Sequence, residues 1–341
     1  MRQVEHGLES DGSLQVAVEL DLAGRPEVHE PVFKSKRREA STRAGREEAP
    51  PYNPAMERKR FGAQSMTSPL REVLVKSPGA TFGRAYDDPQ HGFLHPVDLA
   101  AAQRQHDALC QLLVALGVTI HELGEETDSP DLVYTFDPAL VSDRGFIALR
   151  SGKPTRRGEE QVLERWATGH GIPVAARIEP PGTVDGGDTF WIRPDLLCIG
   201  RSLRTNAAGA QQLGGIVGGD VRVFDVPYGE GPEVCLHLLS LISPVAEDLA
   251  AVYLPLLPSG LFELLRDLGT TPIPVPDEEF PTLGCNVLTV RPGVVIVAEG
   301  NPKTAAALAE HGCEVHEFPA GEVGVNGGGG PTCLTRPILR D

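Results

Sequence analysis

The sequence predicts an α/β fold assembled from about five similar units. Five helix-forming stretches each end at a glycine that opens a short apolar strand, and successive glycines are 54, 48, 50 and 43 residues apart, at Gly117, Gly171, Gly219, Gly269 and Gly312. Glycine suits a helix end because it adopts the left-handed conformation without a Cβ clash. This period fits either a closed radial array of α/β units or an ordinary doubly wound sheet. Periodicity alone does not choose between them.

The individual elements follow from local patterns. Alternating apolar residues predict a strand over 70–75, where organised sequence begins. Helices are predicted over the stretches that precede the five glycines, which are 97–116, 158–170, 207–213, 261–268 and 302–311. Short apolar runs predict further strands over 146–149, 196–199, 287–290 and 294–297.

The distribution of charge divides the chain into two regions. The full chain has 31 Lys and Arg against 47 Asp and Glu, a net charge of −16. Over residues 1–65 the two signs balance at 11 each, with several prolines and little periodicity, so we predict a flexible N-terminal extension there. The folded domain, residues 66–341, carries the whole acidic excess. Such a surface disfavours nucleic acid and suits a small cationic partner.

Apolar runs and cysteines indicate where in the cell the protein is located and what its thiols do. No apolar run approaches the roughly 18 residues of a spanning helix, and no secretion signal is visible, so we expect a cytoplasmic protein without a membrane partner. The six cysteines contain no C-x-x-C pair, which argues against a structural zinc site. Most should be small buried residues, and one in a special setting would be a candidate nucleophile. They are Cys110, Cys198, Cys235, Cys285, Cys313 and Cys333.

Three local motifs could carry chemistry. Asp185-Gly186-Gly187-Asp188 places two carboxylates around a glycine pair, where another group could approach the backbone closely. His237 stands alone in an apolar run, and Cys333 follows a run of four glycines and a proline. Each motif also has an ordinary structural explanation. The first could be a tight turn with a capping Asp, the second a satisfied core histidine, and the third a packed cysteine.

Together these motifs resemble the signatures of the guanidino-group modifying enzymes, which are the arginine deiminases, dimethylarginine dimethylaminohydrolases and amidinotransferases. The resemblance covers about residues 69–340 and includes the segments 129–137, 154–159 and 202–206. It implies a five-unit pseudo-symmetric α/β propeller with the active site on the central axis. That expectation agrees with the repeat and favours the radial array.

The resemblance also implies a catalytic set. Cys333 would attack the guanidinium carbon, and His237 would first protonate the leaving amine and then activate water. Asp185 fills the position of the third catalytic residue. This chemistry requires no metal ion and no organic cofactor.

Substrate-binding residues are implied in the same way. Asp137 would grip the guanidinium, because carboxylates accept paired hydrogen bonds from that planar cation. Arg156 and Arg204 would bind the carboxylate of an amino-acid substrate, and Asp131 its α-amino group. Asp188 is also assigned to substrate binding.

Two positions bear on the substrate. Arginine deiminases and amidinotransferases have an Asp two residues after the catalytic His, whereas this chain has Leu239. At a second position, Phe136 replaces an acidic residue expected of a dimethylargininase. We therefore expect a dimethylargininase-like hydrolase that converts arginine or N-methylated arginine to citrulline and an amine. Arginine deiminase or amidinotransferase activity is the alternative, and a non-catalytic binder of guanidino compounds is a further one.

Overall fold

The computed structural model describes residues 59–231, 234 and 236–341. This part of the chain forms an α/β fold of five three-stranded sheets and six α-helices. The strands are β1 (Leu70–Val75), β2 (Thr119–Glu122), β3 (Ala139–Ser142), β4 (Gly145–Ala148), β5 (Val174–Arg177), β6 (Thr189–Arg193), β7 (Leu196–Arg201), β8 (Asp220–Asp225), β9 (Ile242–Pro244), β10 (Leu249–Val252), β11 (Thr271–Pro274), β12 (Leu288–Arg291), β13 (Val294–Ala298), β14 (Glu314–Phe318) and β15 (Arg336–Arg340). The helices are α1 (Ala80–Gly83), α2 (Leu99–Ala115), α3 (Glu159–Gly169), α4 (Ala207–Val217), α5 (Ser259–Leu268) and α6 (Pro302–Glu310).

All five sheets share one connectivity. The central strand pairs antiparallel with one neighbour and parallel with the other, and an α-helix separates the two parallel strands along the chain. In the second sheet, for example, β3 and β4 are antiparallel, α3 follows β4, and β5 then pairs parallel with β4. A helix occupies this connection because parallel strands cannot be joined by a tight turn. The predicted α/β class is confirmed.

The glycines of the repeat have the backbone conformation that the sequence predicts. All five have φ between 73° and 86°, in the left-handed region that favours glycine. The helices α2, α3, α5 and α6 lie within two residues of their predicted bounds at each end. Helix α4 runs four residues beyond its predicted end, through Gly214 and Gly215. Their low helix propensity hides this last turn from a sequence-based prediction.

The first sheet joins the two ends of the described chain. Its central strand β1 pairs parallel with β2 and antiparallel with β15, so that Leu74 lies opposite Arg336. In each of the other sheets, the antiparallel partner comes from the preceding strand of the same unit. The last strand therefore completes the first unit.

The segment 59–65 packs on the folded domain. The Gly62 N–H donates to the carbonyl of Ile338 at 2.8 Å, and the Gly62 carbonyl accepts from the Arg340 N–H at 2.9 Å. The last seven residues of the predicted flexible extension are thus held against β15, because Gly62 forms a bridge at the edge of the first sheet. Residues 1–58 lie outside the described residues, so the flexibility expected of them stays a prediction.

Apolar side chains fill several separate clusters between helices and sheets. Leu308 of α6, for instance, packs with Ile273 of β11 and Val295 of β13, and all three are fully buried. None of the helices in the described part of the chain has the length and apolar character needed to cross a membrane.

Candidate active site

One cavity of about 410 Å³ collects most of the predicted site residues. Seven of the eight line it: Asp131, Asp137, Arg156, Asp185, Arg204, His237 and Cys333. They come from segments spread over about 200 residues, and most lie in loops or at the ends of strands. The exception is Asp188.

The glycine pair after Asp185 allows two parts of the chain to come very close. A Cβ on Gly187 would lie 2.3 Å from His237 Nδ1, and a Cβ on Gly186 would lie 2.2 Å from the carbonyl oxygen of Phe136. Both distances are far below van der Waals contact, so any larger residue would displace the imidazole or the backbone. The close approach predicted for this motif is confirmed.

His237 lies between two carboxylates. Its Nε2 is 3.3 Å from Asp185 Oδ2, and its Nδ1 is 3.9 Å from Asp137 Oδ1. The Asp185 side chain is buried and also accepts a hydrogen bond from the Gly152 N–H at 3.0 Å. Burial opposes ionisation of Asp185, but the hydrogen bond and positive charge of His237 hold its pKa below the ordinary value. The position of Asp185 beside His237 therefore favours its charged carboxylate form.

Cys333 is partly exposed and faces the same cavity. The Asn286 side-chain amide donates to its Sγ at 3.2 Å, and Asn286 Oδ1 accepts from the Thr332 N–H at 3.0 Å. Asn286 thus fixes both the thiol and the backbone beside it. Sequence reasoning gave Asn286 no role. Cys285 also borders the cavity, but burial raises the pKa of its thiol to about 12, which makes it inert.

Arg156 is buried in a network of protein acceptors. Its Nη1 donates to Asp137 Oδ2, its Nε donates to Glu159 Oε2 at 2.9 Å, and its Nη2 donates to the carbonyls of Asp131 and Tyr134 at 3.1 Å each. This placement differs from the expected contact with a substrate carboxylate, because these bonds use most of the guanidinium's donors. The guanidinium instead orients Asp137.

The second predicted arginine has a different environment. Arg204 is partly exposed at the cavity wall, and its guanidinium makes no salt bridge with any described residue. Because a guanidinium at the cavity wall offers a planar set of donors, Arg204 suits a carboxylate.

Asp131 lies among cations that the sequence did not reveal. Its Oδ2 accepts from Lys153 Nζ at 2.6 Å and lies 3.3 Å from His91 Nδ1. Burial opposes its ionisation, but His91, Arg156 and Lys153 lower its pKa to about 2. Asp131 is therefore ionised throughout the physiological range. No motif singles out Lys153 or His91, since each reaches Asp131 from a separate loop.

Asp188 does not line the cavity, contrary to the expectation that it binds substrate. Its fully buried carboxylate accepts from the Leu238 N–H at 3.0 Å and pairs with the Ser202 hydroxyl at 2.5 Å. Burial raises its pKa to about 6. Because Leu238 follows His237 directly, Asp188 holds the histidine segment in place from behind.

Part of the cavity lining is apolar. Leu239 is buried and lines the cavity, and the other large apolar side chains that line it are Leu94, Phe136, Val234, Leu236, Leu256, Phe280, Leu283 and Val325. Near His237 the site therefore combines carboxylates with a hydrocarbon wall. Such a wall can receive an alkyl group attached to a cation.

Among the described residues, Asp137, Asp185 and His237 form a cluster of side chains of metal-ligand type in the cavity. One ligand atom from each lies within 4.8 Å of the others, and all three side chains are buried. Such a set could hold a metal ion, and its two carboxylates could equally accept a planar guanidinium.

Comparisons with known proteins agree with this arrangement. A family model described as arginine deiminase matches residues 268–340. The N(G),N(G)-dimethylarginine dimethylaminohydrolase of Pseudomonas aeruginosa is 31% identical over 262 residues, which cover 74% of this chain and 94% of the relative. The enzyme of the same name from Streptomyces coelicolor is 32% identical over 249 residues, which cover 72% of this chain and 89% of the relative.

Solved structures show the same relationship. A cysteine-to-serine mutant of the P. aeruginosa enzyme, complexed with citrulline, superposes with a TM-score of 0.67 at 27% identity, covering 80% of this chain and all of that one. The chain therefore belongs to the superfamily of guanidino-group modifying enzymes, in which it is a dimethylargininase-like amidine hydrolase.

Proposed function

We propose that this chain hydrolyses the guanidino group of N-methylated arginine, giving citrulline and an amine through a covalent intermediate on Cys333. The observation that carries the proposal is the convergence of Cys333, His237, Asp185 and Asp137 in one cavity, beside the apolar side chain of Leu239. The names of the two relatives and the citrulline complex support it.

The first half of the reaction forms the intermediate. The Cys333 thiolate attacks the guanidinium carbon, and a carbon–sulfur bond forms while the planar cation becomes tetrahedral. His237, protonated and paired with Asp185, then donates its proton to the departing nitrogen. The carbon–nitrogen bond breaks, the amine leaves, and a thiouronium remains on the cysteine.

The second half returns the enzyme to its starting state. His237 is now neutral and takes a proton from a water molecule, which attacks the thiouronium carbon. Collapse of the adduct breaks the carbon–sulfur bond, giving citrulline and the thiolate. Asp185 stabilises the imidazolium whenever it forms.

In this proposal, protein groups hold the substrate at both of its ends, the guanidinium and the α-amino-acid group. Asp137, oriented by Arg156, accepts hydrogen bonds from the guanidinium. Arg204 pairs with the substrate carboxylate, and Asp131 faces the α-amino group. In this proposal Arg156 is a positioning residue and Arg204 binds the substrate.

The preference for an N-methylated substrate follows from Leu239. A leucine cannot hydrogen-bond the terminal nitrogens of arginine, but it can contact methyl groups. Arginine deiminase activity is the second candidate, favoured by the family model that matches residues 268–340. Amidinotransferase activity requires an amine acceptor, and this requirement distinguishes it from the two hydrolytic activities.

The deciding experiment supplies arginine, monomethylarginine and dimethylarginine separately, each with and without glycine. Citrulline with alkylamine supports the proposal, citrulline with ammonia as the main product supports the deiminase alternative, and ornithine formed only with glycine supports an amidinotransferase. Binding without any product would identify a non-catalytic binder. His237→Ala should lower turnover per folded molecule roughly 10²–10⁴-fold, the usual scale for a positioned proton-transfer group.

We further propose that the five sheets are the units of a closed propeller around the cavity. Contacts of β15 with β3 and of β1 with β12 support this, because they link the first unit to its neighbours on both sides. We also propose a cytoplasmic location, which cell fractionation would test.

A further inference from the structure

Leu283 has an unusual backbone conformation. Its φ is 69°, and it is the only non-glycine residue with positive φ in the described part of the chain. A Cβ-bearing residue is strained in this region, and strain of this kind concentrates at functional sites. Glycine would satisfy the same backbone without that strain.

Neighbouring contacts hold the turn that imposes this conformation. The Leu283 N–H donates to the carbonyl of Phe280 at 3.2 Å, and the Gly284 N–H donates to the carbonyl of Glu279 at 2.8 Å. The Glu279 carboxylate in turn accepts two backbone N–H groups in the first turn of α6, at 2.8 and 2.7 Å. The strained residue is therefore fixed by a turn anchored to a helix.

The same turn delivers two groups to the active site. Leu283 lines the cavity, as do Leu239 and Leu256. The Leu283 carbonyl accepts from the Asn286 N–H at 2.9 Å, and the Asn286 amide reaches Cys333 Sγ at 3.2 Å. The leucine thus lies on the segment that supports the nucleophile.

We propose that Leu283 is a specificity-determining residue whose side chain, with Leu239, forms the wall that receives the alkyl substituent of the reacting guanidino group. The inference rests on the proposed hydrolase activity. Glycine would adopt this left-handed backbone conformation with less strain than leucine. A leucine at this position is therefore explained if the reaction uses its side chain.

The test compares Leu283→Gly with the wild type in melting temperature and in kcat/KM for monomethylarginine and arginine. The melting temperature of Leu283→Gly should equal or exceed that of the wild type, because glycine relieves the backbone strain at this position. The preference for monomethylarginine should fall about tenfold or more, the scale of a methyl-sized contact in an apolar pocket. Leu283→Met should recover most of that preference. Leu254→Gly, at a 40% exposed position outside the cavity, serves as a control for leucine removal.

Equal changes in kcat/KM for both substrates, or no change, would overturn the inference while leaving the proposed function intact. A clear fall in the melting temperature of Leu283→Gly would overturn the strain argument. If the wild type forms no product from any guanidino substrate, the proposed function fails. The inference is then decided by the affinities of wild type and Leu283→Gly for monomethylarginine and arginine, measured by calorimetry.

Discussion

Leu239 decides between the two leading activities, and replacing it with Asp is the most informative substitution. The residue lies two positions after His237, is only 3% exposed, and packs in an apolar cluster with Phe136 and Ile242 while also lining the cavity. Leu239→Asp therefore changes the wall of the site and the packing behind it together. The design must separate these effects.

The expected change in specificity follows from hydrogen bonding. A carboxylate beside the terminal nitrogens would add charge-assisted hydrogen bonds to arginine, each worth about 1.5–3 kcal/mol. One such bond corresponds to roughly 10- to 150-fold in kcat/KM. Methylated nitrogens gain less, because a methyl group cannot donate and would meet a charge. The preference should therefore move toward arginine by at least about tenfold.

The cost in stability is also predictable. Removing a leucine from a packed cluster destabilises by about 2–5 kcal/mol, and a carboxylate in apolar surroundings adds a desolvation penalty. Leu239→Asn is the matched control, because it loses the same packing and gains no charge. Comparing the two variants isolates the contribution of the carboxylate.

The assay measures kcat/KM for arginine, monomethylarginine and dimethylarginine per folded molecule, with folded fractions taken from thermal melts. The wild type should prefer the methylated substrates, and only Leu239→Asp should shift toward arginine. A wild type that prefers arginine by tenfold or more would refute the reasoning. The deiminase alternative would then take first place.

Three further predictions concern other parts of the molecule. Cys333→Ser should abolish turnover without lowering the melting temperature, and mass spectrometry of the wild type should find the covalent adduct on Cys333; an adduct elsewhere contradicts the assignment. Deleting residues 1–58 should leave the melting temperature nearly unchanged, whereas deleting 1–65 should lower it by removing the bridge at Gly62; equal effects would show that 59–65 contribute nothing. Burial raises the pKa of Asp188 to about 6, so folding favours the protonated carboxyl. The resulting contribution to the free energy of unfolding is complete below about pH 4 and is lost as pH rises through 6. In urea titrations between about pH 4 and pH 6, the free energy of unfolding of Asp188→Asn should therefore rise by about 3 kcal/mol relative to that of the wild type. Parallel pH profiles for the two proteins would contradict this.

Local sequence signals predict the units of the fold well. Gly117 and the four later glycines of the repeat mark helix ends because their conformational preference is intrinsic to the residue. The apolar pattern in 70–75 predicts β1 with its observed bounds, and its last three residues are buried on both faces of the strand. What such signals miss is the partner of each strand, because β15 reaches β1 from the far end of the sequence.

The candidate site is predicted in its residue types but not in its contacts. The motifs identify Arg156 and Asp188, yet only the folded chain shows that both hydrogen-bond to protein groups. Lys153 reaches Asp131 from 22 residues away along the chain, and Asn286 reaches Cys333 from 47 residues away. Their contacts depend on tertiary geometry, which has no signature in local periodicity.

The pairing of β1 with β15 has a consequence for how the protein is made. Leu74 leaves the ribosome about 260 residues before its partner Arg336, so the first sheet stays incomplete through most of synthesis. Cys333 precedes β15 by only three residues, so the thiol arrives almost together with the strand that completes the sheet. Contacts of such long sequence separation form slowly. A chain released before this point would lack both Cys333 and the strand that completes the first sheet.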